Sequence, residues 1–304
     1  MFMNDFKAII LAAGQGKRMK TDLPKVLHPL YENTLLEFLL ETVKTVFEKE
    51  YILVVSPKVR TYLNSISEEN VVIQDVPLGT GDAVKRLENW LDAYEGDVLI
   101  LPGDMPLIKS ETLIKICNVH RENNNICTLV TTFLDNPCGY GRVVRDKNGE
   151  VLKIVEEKDA TEEEKKIKEI NTSVYAFKWR ELREVLQLLK NDNAQGEFYL
   201  TDVIEIFNKR NLKIGTVVVD SVEVLGANTQ EELSTLRKIL KERINKINMN
   251  NGVIIIDPDT VIIGHKVSIE KDVIIQPEVF ILGNYVIKKN SYIGPLSYIN
   301  SKTE

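Results

Sequence analysis

The segment Leu11-Ala12-Ala13-Gly14-Gln15-Gly16-Lys17-Arg18-Met19, continuing to Leu23-Pro24-Lys25, holds the residues best suited to chemistry on phosphate. Small side chains and glycines let backbone N–H groups approach a phosphate closely, and the preceding apolar run reads as a strand that would place them at a sheet edge. Lys17, Arg18, Lys20 and Lys25 gather positive charge there, in a chain whose formal net charge is −6. The segment is not a P-loop, because G-x-x-x-x-G-K-[ST] is absent, and it is not a clean G-x-G-x-x-G. A surface turn carrying solvated lysines is the plain alternative.

Two further positions have the right residue types. Asp104 ends the apolar run Asp97–Leu101 in a sharp turn with Gly103 and Pro106. A carboxylate there can hold Mg²⁺ beside a triphosphate, since Mg²⁺ takes a few protein oxygens and completes its shell with phosphate and water. A turn-capping aspartate fits the same spacing. Gln74 and Gly79-Thr80 follow another apolar run. An amide can read a pyrimidine edge, and glycine lets a base lie close to the backbone. A loop followed by a Thr N-cap fits equally well.

Several chemistries are disfavoured. There are three histidines and three cysteines, with no C-x-x-C, which argues against a zinc enzyme. Cys117, Cys127 and Cys138 are odd in number and widely spaced, as expected of reduced thiols. His28 and His120 have no partners visible in the sequence and read as structural. No G-x-S-x-G appears, and the adjacent Glu156 and Glu157 would point to opposite faces of a strand. The acidic balance argues against a nucleic-acid surface. No apolar stretch approaches the roughly 20 residues that cross a bilayer, and the N-terminus lacks a signal-peptide pattern. A cytoplasmic protein with no membrane or nucleic-acid partner is expected.

The elements that must position these residues alternate. Lys7–Leu11, Tyr51–Val55, Val71–Gln74, Asp97–Leu101 and Ile126–Phe133 read as strands. Thr34–Glu48, with Asn33 as a plausible N-cap, Thr80–Leu91 and Ser110–Arg121 read as helices. Continuous apolar strands separated by helices predict an α/β fold with a mainly parallel sheet covered on both faces, which binds ligands at the carboxyl ends of its strands. Arg142–Arg145 and Val151–Glu156 flank the hairpin signal Asp146-Lys147-Asn148-Gly149. Strands at Ile170–Lys178 and Lys213–Asp220 and a long helix at Thr229–Asn248 follow.

After Gly252 the pattern changes. Ile263, Ile269, Ile275, Ile281, Ile287, Ile293 and Ile299 recur at a period of six, and Val261, Val267, Val273, Val279, Tyr285, Ser291 and Ser297 stand two places earlier. A hexapeptide period marks a parallel β-helix, one face per hexad. About two coils are expected, and so short a solenoid predicts oligomerisation.

The run Leu11–Met19 followed by Leu23–His28 resembles the signature of sugar-phosphate nucleotidyltransferases, and in detail their N-acetylglucosamine-1-phosphate uridyltransferase branch. The likeness continues in order through Gln74 and Leu78–Gly81, Gly103–Leu107, Gly139–Arg142, Ile154–Ala160, Glu169–Thr172, Asn193–Tyr199 with Thr201-Asp202, and Gly226–Asn228. It covers roughly residues 7–250, and the hexapeptide tail fits the same architecture. The fold it implies is a Rossmann-like nucleotidyltransferase domain with a mixed, mainly parallel sheet, followed by a short left-handed parallel β-helix. The expected boundaries are 1–228, a linking helix at 229–251, and 252–304.

The resemblance implies formation of UDP-N-acetylglucosamine and pyrophosphate from UTP and N-acetylglucosamine-1-phosphate, with Mg²⁺. Asp104 and Asn228 would be the metal ligands. Leu11, Ala12, Ala13 and Gly14 would line the nucleotide, with Gln74, Gly79 and Thr80 at the uracil. Arg18 and Lys25 would bear on the phosphates, and Gly141, Glu156, Asn171, Tyr199 and Thr201 on the sugar. A homotrimer packed through the β-helix is implied. Related readings are a sister enzyme using another sugar-1-phosphate or dTTP, and a non-catalytic sugar-nucleotide sensor.

The sequence also departs from the family. The family's β-helix is longer and carries an acetyltransferase site; this tail has no counterpart to those residues, and no acetyl transfer is expected. Asp82 stands where His commonly follows Leu-Gly-Thr-Gly. Ser173 stands where Gly is usual after Ile-Asn-Thr. Pro102 precedes Gly103 where an aromatic sometimes sits.

Overall fold

The computed structural model describes residues 3 and 5–301. The chain divides into two compact units, Met1–Leu27 with Leu36–Leu225, and His28–Leu35 with Gly226–Glu304. In chain order the elements through the long helix are β1 (Phe6–Ala12), β2 (Pro29–Leu30), β3 (Asn33–Thr34), α1 (Leu35–Phe47), β4 (Tyr51–Val55), α2 (Pro57–Arg60), β5 (Val71–Ile73), α3 (Thr80–Lys85), β6 (Asp97–Pro102), α4 (Ser110–Glu122), β7 (Cys127–Phe133), β8 (Arg142–Arg145), β9 (Val151–Val155), β10 (Glu169–Lys178), α5 (Trp179–Leu186), α6 (Asp202–Lys209), β11 (Ile214–Val218) and α7 (Gln230–Asn250).

The first unit is built on a nine-stranded sheet in the order β11-β7-β10-β6-β1-β4-β5, with the β8–β9 hairpin attached to β10. β1 pairs in parallel with β4 and β6, as do β4 with β5 and β7 with β11. β10 runs antiparallel between β6 and β7. Alternate side chains supply two cores. Ala8, Ile10, Leu53 and Val55 join one with Leu39, Val43 and Phe47 of α1 and Leu113 and Ile116 of α4. Ile9, Ile52 and Val54 join the other with Val84 of α3, Leu182 and Val185 of α5, and Phe207 of α6. A strand whose two faces are both covered must be apolar throughout, which is why Tyr51–Val55 shows no polar alternation. The carboxyl ends of β1, β4, β5 and β6 and the start of β10 share one edge of this sheet, the edge toward which the glycine-rich loop and Asp104 emerge.

Two local expectations are corrected. Asn33 is not a helix cap: Asn33 and Thr34 form β3, paired antiparallel to β2, so the hairpin takes the residue and α1 begins at Leu35. The helix expected over Thr80–Leu91 ends at Lys85. Beyond it, Leu87, Glu88 and Trp90 donate to Val84, Lys85 and Leu87, an i→i−3 pattern that tightens the chain into turns.

In the second unit, the Thr229 hydroxyl caps α7 by accepting from the Glu232 amide at 3.2 Å. Eight short strands follow: β12 (Ile254–Ile255), β13 (Ile262–Ile263), β14 (Ser268–Ile269), β15 (Ile274–Ile275), β16 (Phe280–Leu282), β17 (Val286–Ile287), β18 (Tyr292–Ile293) and β19 (Tyr298–Asn300). They stack in parallel as β12-β15-β18, β13-β16-β19 and β14-β17. Ile263 pairs with Ile281 and Ile281 with Ile299, so one coil is 18 residues, or three hexads. Val261, Val273, Ile275, Val279 and Ile281 are fully buried inside it. Asp272, Glu278, Asn290 and Leu296 adopt positive φ at corners spaced by multiples of six. The hexapeptide period is thus a short parallel β-helix.

Among the described residues no helix is long and apolar enough to cross a membrane. All three cysteines are free, with Cys117 and Cys127 buried and Cys138 exposed. Burial raises the Cys117 and Cys127 thiols above their ordinary range. His120 is buried, with Nδ1 2.9 Å from the Thr128 hydroxyl.

Candidate active site

Where β1 ends, Ala12 and Ala13 are buried and the chain turns outward at Gly14. A Cβ at Gly14 would meet nothing within 4 Å, so this backbone is open to a ligand. Met19 is buried and anchors the turn Lys17–Met19, leaving Arg18 exposed with no ion pair among the described residues. The exit of β6 packs directly on that of β1. The Gly103 amide donates to the Leu11 carbonyl at 2.8 Å, and a Cβ on Gly103 would lie 2.9 Å from the Ala12 Cβ. This close approach brings Asp104 beside the glycine-rich loop's lysine: Lys25 Nζ donates to Asp104 Oδ2 at 2.6 Å. Their side chains are 18% and 11% exposed, so solvent screens the pair only weakly.

The predicted base loop is held just as closely. The Gln74 backbone amide donates to the Val55 carbonyl at 2.8 Å, and its side chain is buried. Gln74 Nε2 donates to Asp82 Oδ2 at 2.7 Å and to the Gly79 carbonyl at 3.2 Å. Asp82 Oδ2 also accepts from Arg86 Nε at 3.1 Å. Gly79 has φ +114°, and a Cβ there would stand 2.4 Å from the Phe198 carbonyl oxygen. The Phe198 amide donates to Leu78, and the Gly81 amide to Phe198, each at 2.8 Å. Thr80 is the first helical residue rather than the cap, which is Gly79. Its hydroxyl accepts from the Leu200 amide at 3.1 Å.

Of the predicted sugar residues, Gly141, Glu156, Asn171 and Thr201 converge. The Asn171 amide donates to the Gly141 carbonyl at 2.9 Å. A Cβ on Gly141 would lie 3.4 Å from Glu156 Oε2, and the Thr201 hydroxyl donates to Glu156 Oε1 at 3.1 Å. Burial pushes the Glu156 carboxyl up, against the lowering effect of the Thr201 bond, with Asp202, Asp159 and Glu197 adding to the rise. Asn171 Nδ2 donates to the Tyr175 hydroxyl at 2.7 Å, and its Oδ1 accepts from the Ser173 amide at 3.2 Å, with Ser173 at φ +61°. Tyr199 turns its hydroxyl elsewhere, 2.9 Å from Gln195 Nε2 and 3.4 Å from Asp159 Oδ2. Burial raises it to about 12.

Asn228 belongs to the second unit, where its backbone amide donates to Glu232 Oε2 at 2.6 Å. Among the described residues no three His, Cys, Asp or Glu side chains gather as a metal cluster. A single buried carboxylate such as Asp104 suits Mg²⁺ only if substrate phosphate and water supply most of the oxygens, which is the coordination Mg²⁺ prefers.

Sequence reading missed the support behind the predicted sugar residues. Arg142 is 1% exposed. Its guanidinium donates to Glu157 Oε2 at 2.8 Å and to the Tyr140 carbonyl, and the Gly139 amide donates to the same Glu157 oxygen at 3.2 Å. A buried arginine inside a glycine-rich hairpin has no signal of its own in one sequence. Asp82 stood out only as a departure from the family pattern.

Residues 8–169 match the MobA-like NTP transferase domain family. The chain is 43% identical over 302 residues to the bifunctional protein GlmU of Caldanaerobacter subterraneus subsp. tengcongensis, covering 99% of this chain and 66% of that protein. It is 44% identical over 294 residues to GlmU of Thermoanaerobacter pseudethanolicus, covering 96% and 64% respectively. With GlmU of Clostridioides difficile the figures are 41% over 299 residues, 98% and 65%. The chain therefore spans slightly less than two thirds of these relatives. Its fold also matches a crystal structure from Bacillus anthracis with a proposed glucose-1-phosphate thymidylyltransferase assignment, at TM-score 0.61 and 18% identity over 77% of this chain and 94% of that one.

Proposed function

The chain belongs to the MobA-like NTP transferase domain family, and on that premise we propose that it joins UTP to N-acetylglucosamine-1-phosphate, giving UDP-N-acetylglucosamine and pyrophosphate. A phosphate oxygen of the sugar phosphate attacks the α-phosphorus in line and pyrophosphate leaves. The attacker is already an anion, so no general base is required, and the work is positioning and charge neutralisation.

The observation that carries this reading is the 2.6 Å pairing of Lys25 with Asp104 beside a glycine-rich turn. A cation and a carboxylate held together at the carboxyl edge of the sheet are the groups a metal triphosphate would engage. Lys25 and Arg18 neutralise phosphate charge, Lys as a point charge and Arg as a fork. Asp104 and Asn228 would hold Mg²⁺, which when bound screens the charge of the triphosphate. Gly14 and its neighbours Leu11, Ala12 and Ala13 approach the nucleotide. Gln74, Gly79 and Thr80 receive the base. Gly141, Glu156, Asn171, Tyr199 and Thr201 receive the sugar, with the partly buried Glu156 carboxyl ready to accept from a hydroxyl. We confine the proposal to nucleotidyl transfer. It includes a cytoplasmic location and a trimer built on the β-helix.

Pyrophosphate release from UTP with Mg²⁺ tests it, with N-acetylglucosamine-1-phosphate, glucose-1-phosphate and N-acetylgalactosamine-1-phosphate offered in parallel. Release with the first substrate alone is expected. Release with another sugar would reassign the pocket around Asn171, Ser173 and Tyr199. UTP binding without release from any of them would favour a sensor.

A further inference from the structure

Gln74 Nε2 stands 2.7 Å from Asp82 Oδ2 and 3.2 Å from the Gly79 carbonyl oxygen. A carboxylate oxygen paired with arginine and a peptide carbonyl are both acceptors, so the NH₂ end of the amide must face them. The reverse orientation would set oxygen against oxygen in a buried position. Both amide protons are thereby used. The one group Gln74 has left for a ligand is Oε1, which accepts no hydrogen bond among the described residues. Asp82 is itself held by Arg86 Nε at 3.1 Å and is one of the three positions that depart from the family pattern.

We propose that Asp82 is a positioning residue that fixes the Gln74 amide with its oxygen outward, and so sets discrimination between nucleotide bases. An acceptor favours a base that offers a ring N–H, as uracil and thymine do at N3. It opposes a base that offers a ring lone pair at that place, as cytosine does. Asn in place of Asp82 would keep its oxygen toward Arg86 and Gln74, whereas Ala removes the carboxylate acceptor and leaves only the 3.2 Å contact with the Gly79 carbonyl to orient the amide. The inference rests on the reading that Gln74 faces the base.

The test is the ratio of UTP to CTP affinity for the full chain, measured by titration calorimetry with Mg²⁺. Taking the ratio within one preparation cancels any loss of folded protein. The wild type is expected to favour UTP, and Asp82→Ala to lower that preference by about tenfold or more, the size of one mismatched hydrogen bond. Gln74→Ala is expected to lower it similarly, and Asp82→Ala added to Gln74→Ala to change nothing further. An unchanged ratio in Asp82→Ala would overturn the positioning role while leaving the transferase reading intact. A shift from Asp82→Ala that persists without Gln74 would overturn it too, because Asp82 would then act by another route. Failure of the wild type to bind either nucleotide would instead sink the reading beneath it.

Discussion

Lys25 Nζ and Asp104 Oδ2 are 2.6 Å apart, and the charge that would meet phosphate is balanced by the charge that would meet a metal. Asp104→Asn is expected to remove Mg²⁺-dependent turnover by at least about a thousandfold, as loss of a central electrostatic group does. The stability cost should be about 1–3 kcal/mol, because Lys25 loses a weakly solvated partner. Pyrophosphate release and urea unfolding on one sample separate the two effects. Near-normal turnover would sink the metal assignment.

The two glycines Gly14 and Gly79 should respond in opposite ways to alanine. Gly14 has room for a Cβ, so Gly14→Ala should leave stability within about 1 kcal/mol of wild type, on either side. Nucleotide affinity should still fall, by about tenfold, if phosphate reaches that backbone. Gly79→Ala would drive a Cβ against the Phe198 carbonyl at φ +114°. A loss of about 2–4 kcal/mol in urea unfolding is expected there.

Arg142 is sealed from solvent with Glu157 as its ion-pair partner. Arg142→Ala leaves that carboxylate without its cation and frees the Gly139–Gly141 turn, so a loss of about 3 kcal/mol or more is expected. KM for the sugar phosphate should rise as well. Thermal unfolding and sugar-phosphate kinetics check the two halves, and unchanged stability would contradict a structural role for this pair.

Asp202 is raised from 3.8 to about 6, first by burial and then by repulsion from Glu205 and Asp159. The folded state therefore holds this proton more tightly than the unfolded chain. The stabilising contribution is fully present below about pH 4 and is lost as pH rises through about 6. Asp202→Asn, which has no charge to bury, should raise Tm relative to wild type at about pH 7.5, and this gain should vanish near about pH 4. A gain of equal size at both pH values would show that the carboxyl is not raised.

The sheet and the β-helix were legible because each has its own period. Continuous apolar runs as short as Tyr51–Val55 fit strands covered on both faces better than helices, and the isoleucines of 263–299 fit no helix or flat strand. Asn33 was misread because a polar residue before an amphipathic run looks like a cap until β2 claims it as a pairing partner. The convergence of Glu156 with Thr201, 45 positions apart, depends on how β9 and the start of α6 meet, which no local pattern encodes. Tyr199 was grouped with the sugar residues by its motif, yet its hydroxyl is engaged by Gln195 and Asp159. Ser173 departs from a usual glycine at a place where the backbone is in fact left-handed, so the departure marked a real constraint.

The clasp between residues 78–81 and 198–200 makes two distant stretches of chain one mechanical part. Phe198 bonds to Leu78, Gly81 to Phe198, and Leu200 to the Thr80 hydroxyl. Neither stretch can swing outward without dragging the other or breaking these bonds. Thr201 and its bond to Glu156 come immediately after the clasp. A push on the loop beyond Gln74 is therefore passed along these bonds toward the carboxylate at Glu156, so the surfaces proposed for base and sugar would behave as the two ends of a lever.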